Sequence, residues 1–350
     1  MTFENTQVVL AERPTEGIVP GQTFRIEKGP RPSPDNVKDG EILVEVLLIS
    51  VEPAMRGWIT DTRSYLPPVQ IGETMRSFSA ARVLASKSKQ AQVGDIVVAA
   101  SGWAEYAIVP ESRFEPAAAF PKGKEPHEWL SMYGLTGMTA WVGMTQIGEP
   151  KPRETVVVSA AAGATGSIAG QIAKNLGAKV IGICGGDSKC KWIREVLGFD
   201  VALDYKAADF KDRFMEATKD YIDVYFDSVG GEILDMCLGQ ANKDARFIQC
   251  GIISRWSSKD SGLTLKNYFK VIAMRIKIQG FVVTDYVDLW PRARKEIAQW
   301  SETGRLKGGV VIVDGGLAKV EEALISLYAG GNTGKLLVKV KDIADAPVGL

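Results

Sequence analysis

Apolar positions in the first 120 residues come in short runs broken by Gly and Pro: EILVEVLLISVEP from Glu41, SFSAARVLAS from Ser77 and GDIVVAASGWAEYAIV from Gly94. Their alternation and spacing predict an all-β, barrel-like unit. Ala117 to Glu128 (AAAFPKGKEPHE) is polar and broken by prolines, as a passage between domains would be. Beyond it the pattern alternates strand and helix. Thr155–Ser159 (TVVVS) reads as a buried strand, Ser167–Leu176 as a helix, Lys179–Ile183 as a strand and Lys189–Leu197 as a helix. Further strands are expected at Tyr221–Phe226, Arg246–Gln249 and Lys277–Val283. Repeated βα units of this kind predict a parallel, doubly wound sheet. After Leu306 a short strand, a helix over Ala318–Tyr328 and KLLVKV are expected to return to the first domain.

Composition adds bounds rather than a function. The 350 residues are enough for two domains, and 45% hydrophobic with 24% charged residues is ordinary for a soluble globular protein. Lys plus Arg (42) balance Asp plus Glu (42), so no global field argues for nucleic acid or an anionic membrane. The N-terminal MTFENTQVVLAERP has no signal-peptide pattern, ADAPVGL is no peroxisomal or prenylation signal, and no apolar run approaches the ~20 residues of a membrane span. Cys184, Cys190, Cys237 and Cys250 show no CxxC spacing and read as free thiols of a reducing compartment. The expectation is a cytoplasmic protein. The single histidine, His127, lies in the proline-flanked segment, and neither a Cys/His set nor closely spaced cysteines suggest zinc.

One stretch carries chemistry. In AAAGATG, positions Ala161, Gly163 and Gly166 stand at G-x-G-x-x-G spacing, with alanine in the first place. The middle glycine lets backbone approach a pyrophosphate and the third permits close helix–sheet packing. A helix starting after Gly166 would aim its N-terminal N–H groups at phosphate. The strand before it, the helix after it and a second strand ending about 20 residues on together predict a dinucleotide site. That second strand runs into CGGDSK without an acid at its end. Asp187 is a candidate ribose ligand for NAD, and Lys189 a candidate cation for the 2′-phosphate of NADP. A lysine in a helix's first turn opposes the dipole, which favours a reason for it and hence NADP.

These residues resemble a known family. GDIVVAASGWAEYAIV, VVVSAAAGATGSIAGQIAK, LGFDVALDYK, VYFDSVGG, CGIIS, FVV and the final NTGK follow in order the pattern of the medium-chain dehydrogenases/reductases. Within them the chain is similar to the zinc-free NADPH-dependent double-bond reductases: prostaglandin, plant alkenal and bacterial curcumin reductases. The resemblance implies a GroES-like β-barrel catalytic domain over 1–125 and 311–350, a Rossmann NADP-binding domain over 126–310, and a homodimer through the nucleotide domains.

It also implies cofactor contacts. The pyrophosphate turn falls on Gly163, Ala164, Thr165 and Gly166, and the 2′-phosphate on Lys189 and Tyr205. Ser228 stands where the family has asparagine. The backbone beside the nicotinamide is Cys250, Gly251, Ile252, Ile253 and Ser254, followed by Arg255 and Trp256. Phe281, Val282, Val283 and Asn332 complete the set. Two departures concern the substrate: Ala54 and Trp256 each replace a family tyrosine. Tyr65, in SYLPPV, resembles a tyrosine of the curcumin reductases that would take a polar, catalytic role; packing on the prolines that follow it is the competing reading. The implied activity is hydride delivery from NADPH to the β-carbon of an enone or enal, in a cleft at the sheet's carboxyl edge. A quinone reductase of the same superfamily and a non-catalytic NADPH-binding sensor or structural protein are the rivals.

Overall fold

The computed structural model describes residues 4–257 and 265–344. Two units emerge from the chain's internal contacts. The first runs to Leu130, takes up again at Val310–Gly331 and is completed from Leu336 on; the second comprises Ser131–Gly309 and Asn332–Lys335.

The second unit is built on six parallel strands. In spatial order they are Val201–Asp204, Lys179–Cys184, Thr155–Val158, Ile222–Asp227, Ala241–Gln249 and Lys277–Gly280. The first three lie in reverse sequence order and the last three in forward order, the doubly wound Rossmann arrangement. Thr155–Val158 is buried at every position, because a central parallel strand is covered on both faces. Helix Ala164–Asn175 packs beside it through Ile168, Ala169, Ile172 and Ala173, positions one turn apart on one face. Tyr225, Phe247, Phe214 and Leu203 fill the other side of the sheet's core.

The first unit is antiparallel. Its principal sheet runs Val310–Asp314, Lys335–Lys339, Glu41–Ser50, Ser79–Ser86, Ile96–Ala99 and Phe114–Pro116, with Tyr106–Pro110 also on Glu41–Ser50. Glu4–Leu10 and Phe24–Pro30 form a separate ribbon. Leu336 and Val338 join Val46, Ile49 and the fully buried Trp103 in one core, so the chain lies in the first unit from Leu336.

Several boundaries differ from the sequence expectations. Residues 126–130 group with the first unit, because helix Pro126–Trp129 packs on strands Ser79–Ser86 and Ile96–Ala99 and Trp129 stacks on Phe120 at 5.0 Å. Asn332–Lys335 groups with the second, held by the Gly334 N–H on Ala162 O (2.8 Å) and the Lys335 N–H on Gly309 O (2.8 Å). Strand Lys277–Gly280 ends three residues before Val283, which opens a 3-10 segment, so Phe281 and Val282 lie past the strand. Helix Ala164–Asn175 starts before Gly166, with Gly163 as its N-cap.

Candidate active site

The order of the sheet reverses between Thr155–Val158 and Ile222–Asp227, and the chain leaves each strand there through a small-residue turn. Open parallel sheets bind ligands at the carboxyl ends of strands at this point. In the first turn the left-handed conformation falls on Ala160 (φ 48°), not on Ala161, which therefore needs no glycine. Ala161 is fully buried, its N–H bonds Ile183 O at 2.9 Å, and its methyl faces Gly182 on the neighbouring strand. That is how an alanine replaces the first glycine. Gly166 cannot be replaced so easily, since a Cβ there would stand 2.5 Å from Ala160 O. Ala164, Thr165 and Gly166 form the helix's first turn, whose N–H groups have no intrahelical partner. A twelve-residue helix presents these donors and its positive end to an anion.

The second turn is held by Asp227. This fully buried carboxylate uses Oδ1 to accept from Tyr225 Oη (2.8 Å), Ser159 Oγ (3.2 Å), Val229 N (2.9 Å) and Gly230 N (2.8 Å). Its main-chain oxygen accepts the N–H groups of Cys250 and Gly251, at 2.8 and 3.0 Å. Ser228 donates its N–H to Ser159 Oγ at 2.9 Å and accepts from Ile253 N at 3.2 Å, and Ser254 bonds Val229 O. The turns after three strands are thereby one hydrogen-bonded body, carrying Gly163–Gly166, Ser228 and Cys250–Ser254. Asn332 joins it: the side chain is buried, donates to Gly334 O at 2.6 Å, and Gly334 bonds the glycine turn through Ala162. Ile252, exposed, covers Gly230; the Arg255 guanidinium lies 5.2 Å from the centre of the Trp256 ring. Phe281 reaches Gly143, and Val283 is buried.

Burial dominates the electrostatics of this body. It raises the Asp227 carboxyl above its ordinary value, against the four hydrogen bonds. It pushes the Cys250 thiol up to about 12, with the Ser228 hydroxyl opposing. Cys250 is therefore no nucleophile near neutrality.

At the end of Lys179–Cys184 a third corner forms. Gly186 (φ 94°) caps helix Asp187–Glu195 and gives its N–H to Asp204 Oδ1 at 2.9 Å; Lys206 N binds the same oxygen at 2.9 Å. These backbone donors, Gly186 first, hold Asp204 below the usual carboxylate range. Tyr205 N bonds Cys184 O at 3.1 Å and its ring is half exposed. Burial lowers the Lys189 pKa, the Cys184 thiolate would oppose this, and the Lys206 charge lowers it further. The Lys206 ammonium lies 5.8 Å from the centre of the Tyr205 ring, and a nearby anion would favour both lysines in their charged form. Asp187 is exposed.

Of the three substrate candidates, Ala54 and Tyr65 lie in the first unit and Trp256 in the second. Ala54 precedes helix Met55–Trp58 and is exposed; Tyr65, also exposed, accepts from Trp58 Nε1 at 2.8 Å. Sequence reasoning missed Ser159, Asp227, Lys206 and Trp58. The letters were present in TVVVS, FDSVGG and DYK, but nothing local says that Ser159 and Asp227 would meet.

Comparisons with known proteins meet these observations. Residues 6–117 match the model of the N-terminal domain of oxidoreductase, and 164–299 that of zinc-binding dehydrogenase. The chain is 36% identical to the NADPH-dependent curcumin reductase of Escherichia coli over 342 residues, covering 96% of this chain and 97% of the relative. The chain belongs to the zinc-independent medium-chain dehydrogenases/reductases. Although the second model's description names zinc, no group of three or more His, Cys, Asp or Glu side chains among the described residues is placed to hold a metal ion. This member is also 34% identical to the NADP(+)-dependent 2-alkenal reductase of tobacco, over 86% of its length and 87% of the relative's. The crystal structure of CurA from Vibrio vulnificus in complex with NADPH superposes with a TM-score of 0.89 at 35% identity, covering 96% of this chain and 99% of that one. Among the described residues no helix is long and apolar enough to cross a membrane.

Proposed function

We propose that this member of the family reduces the carbon–carbon double bond of α,β-unsaturated ketones and aldehydes. It is an oxidoreductase whose cofactor is NADP(H). The observation that carries the cofactor side is the corner at Lys189, Tyr205 and Lys206: the strand ending there offers no acid for a ribose, the Tyr205 and Lys206 side chains pack against Gly185, and the Lys206 charge bears on Lys189. Gly163, Ala164, Thr165 and Gly166 take the pyrophosphate. Ser228, Cys250–Ser254, Phe281–Val283 and Asn332 line the nicotinamide ribose and ring. Bound there, NADPH supplies the hydride that adds to the substrate's β-carbon.

The chain's own groups handle the charge that develops. As hydride adds, negative charge moves to the carbonyl oxygen, and a donor aimed at that oxygen stabilises it. Tyr65 supplies this hydroxyl, where Ala54 and Trp256 have removed the family's tyrosines. It, or water beside it, then protonates the α-carbon. Ala54 is smaller than the tyrosine it replaces and Trp256 carries a larger flat apolar ring, replacements that favour bulky aryl enones over short alkenals.

The reading extends to a homodimer. Strand Lys277–Gly280 ends the six-stranded sheet, and near it in sequence Tyr268, Phe269 and Ile272 expose large apolar side chains. An open edge beside apolar surface favours pairing with a second copy.

The test follows NADPH absorbance with a panel of enones and enals, with a quinone and without substrate. Turnover of aryl enones supports the assignment. Turnover confined to the quinone makes the chain a quinone reductase, and tight NADPH binding without any turnover makes it a sensor.

A further inference from the structure

The hydroxyl of Tyr65 is held by a partner whose chemistry fixes the direction of the bond. An indole N–H donates and cannot accept, so in the 2.8 Å contact with Trp58 Nε1 the tyrosine oxygen is the acceptor. The Tyr65 proton must point elsewhere. Among the described residues no acceptor takes it, and the side chain is half exposed at 54%.

Trp58 itself is firmly seated. It is 6% exposed, within the core that holds Met55, Ile59, Val69 and Trp103. Its main-chain N–H donates to Ala54 O at 3.1 Å and its carbonyl accepts from Val69 N at 2.8 Å. The Arg76 guanidinium lies 5.9 Å from the centre of its ring and donates to Pro67 O at 3.1 Å. Trp58 is thus bonded on one side to Ala54, one helical turn earlier, and on the other to both ends of the segment from Tyr65 to Val69.

We propose that Trp58 is the positioning residue of Tyr65: its indole N–H occupies the tyrosine oxygen and leaves the phenolic proton directed at the substrate. The hydroxyl that Ala54 lacks is presented one helical turn later through Trp58. This rests on the reading of Tyr65 as the donor to the substrate oxygen.

A double-mutant cycle on the full-length protein tests it. Tyr65→Phe lowers kcat on the order of 100-fold, as loss of a general acid does. Trp58→Phe lowers kcat about threefold to tenfold, the share of one neutral hydrogen bond, with the KM for NADPH unchanged and a larger solvent deuterium isotope effect. The double variant is no slower than Tyr65→Phe alone. Replacement of Trp58 by benzothienylalanine, which removes the N–H and keeps the ring's shape, repeats the loss if Trp58→Phe folds poorly. If Tyr65→Phe is slow but neither Trp58 replacement changes kcat, the positioning role is overturned and the Tyr65 reading stands. If the Trp58 loss persists undiminished in the Tyr65→Phe background, Trp58 is structural and the proposal falls. An unchanged Tyr65→Phe removes the Tyr65 reading and this proposal with it.

Discussion

Ser159 and Asp227, 68 residues apart, meet at 3.2 Å: the serine hydroxyl donates to Asp227 Oδ1 while its oxygen accepts the N–H of Ser228 at 2.9 Å. The pair ties together the ends of the two strands between which the sheet reverses, and so sets the spacing of the turns proposed to hold the dinucleotide.

Asp227→Ala should therefore cost on the order of 2–4 kcal/mol, because it strands buried N–H and O–H donors, each worth about 1–3 kcal/mol when unpaired. Asp227→Asn keeps an acceptor oxygen and should cost less. The two also differ in pH dependence. Burial raises the carboxyl's pKa above its ordinary 3.8, so the folded state binds its proton more tightly than the unfolded one. Stability from this group is then greatest at acid pH and is lost as pH rises from about that value through the raised one. Thermal melts should show the melting temperature of Asp227→Asn gaining on wild type over that window. A constant gap would show the carboxyl to be unperturbed.

Lys189→Ala should raise the KM for NADPH about 10- to 150-fold, the equivalent of a charge-assisted bond worth roughly 1.5–3 kcal/mol. NADH, which has no 2′-phosphate, should be almost unaffected. Lys206→Ala and Tyr205→Phe should act in the same direction more weakly, being exposed. Steady-state kinetics with both cofactors at one fixed salt concentration decide the matter. Equal weakening for NADPH and NADH would make Lys189 a support of the fold, and a wild type that prefers NADH would make Asp187 the ribose ligand.

The thiols should be inert in the native protein. Burial raises all four, Cys250 to about 12, although Cys184 and Cys190 lie only 3.5 Å apart. At pH 7 a thiol of that pKa is thiolate in about one molecule in 10⁵, and the thiolate is what soft electrophiles attack. N-ethylmaleimide followed by mass spectrometry should label Cys250 slowly at pH 7, about tenfold faster per pH unit, and all four cysteines rapidly in urea. A rapidly labelled thiol in the native protein at pH 7 would contradict this.

Ile272→Glu should convert the proposed dimer to monomer, since a charge on a 72%-exposed apolar position cannot be covered without a partner for it. Size-exclusion chromatography with light scattering reads the mass. A wild type that is monomeric at tens of micromolar overturns the dimer.

What the sequence determined by itself was whatever a short window encodes. The buried run TVVV, the glycine turn, the acid-free CGGDSK and the DYK that follows each fix local geometry through sterics and backbone hydrogen bonding, and their order specifies a doubly wound sheet. The tertiary structure decided what depends on residues far apart in the chain. Ala161 serves for a glycine because Gly182 faces it across the sheet; Asp227 becomes the hub of three turns because three strands end together. Lys206 bears on the charge of Lys189 because the strands that precede them are neighbours in the sheet. Trp58 finds Tyr65 because the segment between them folds back. Burial and charge are properties of the assembled neighbourhood, so the raised thiols and the lowered Lys189 could be read only after the chain had folded.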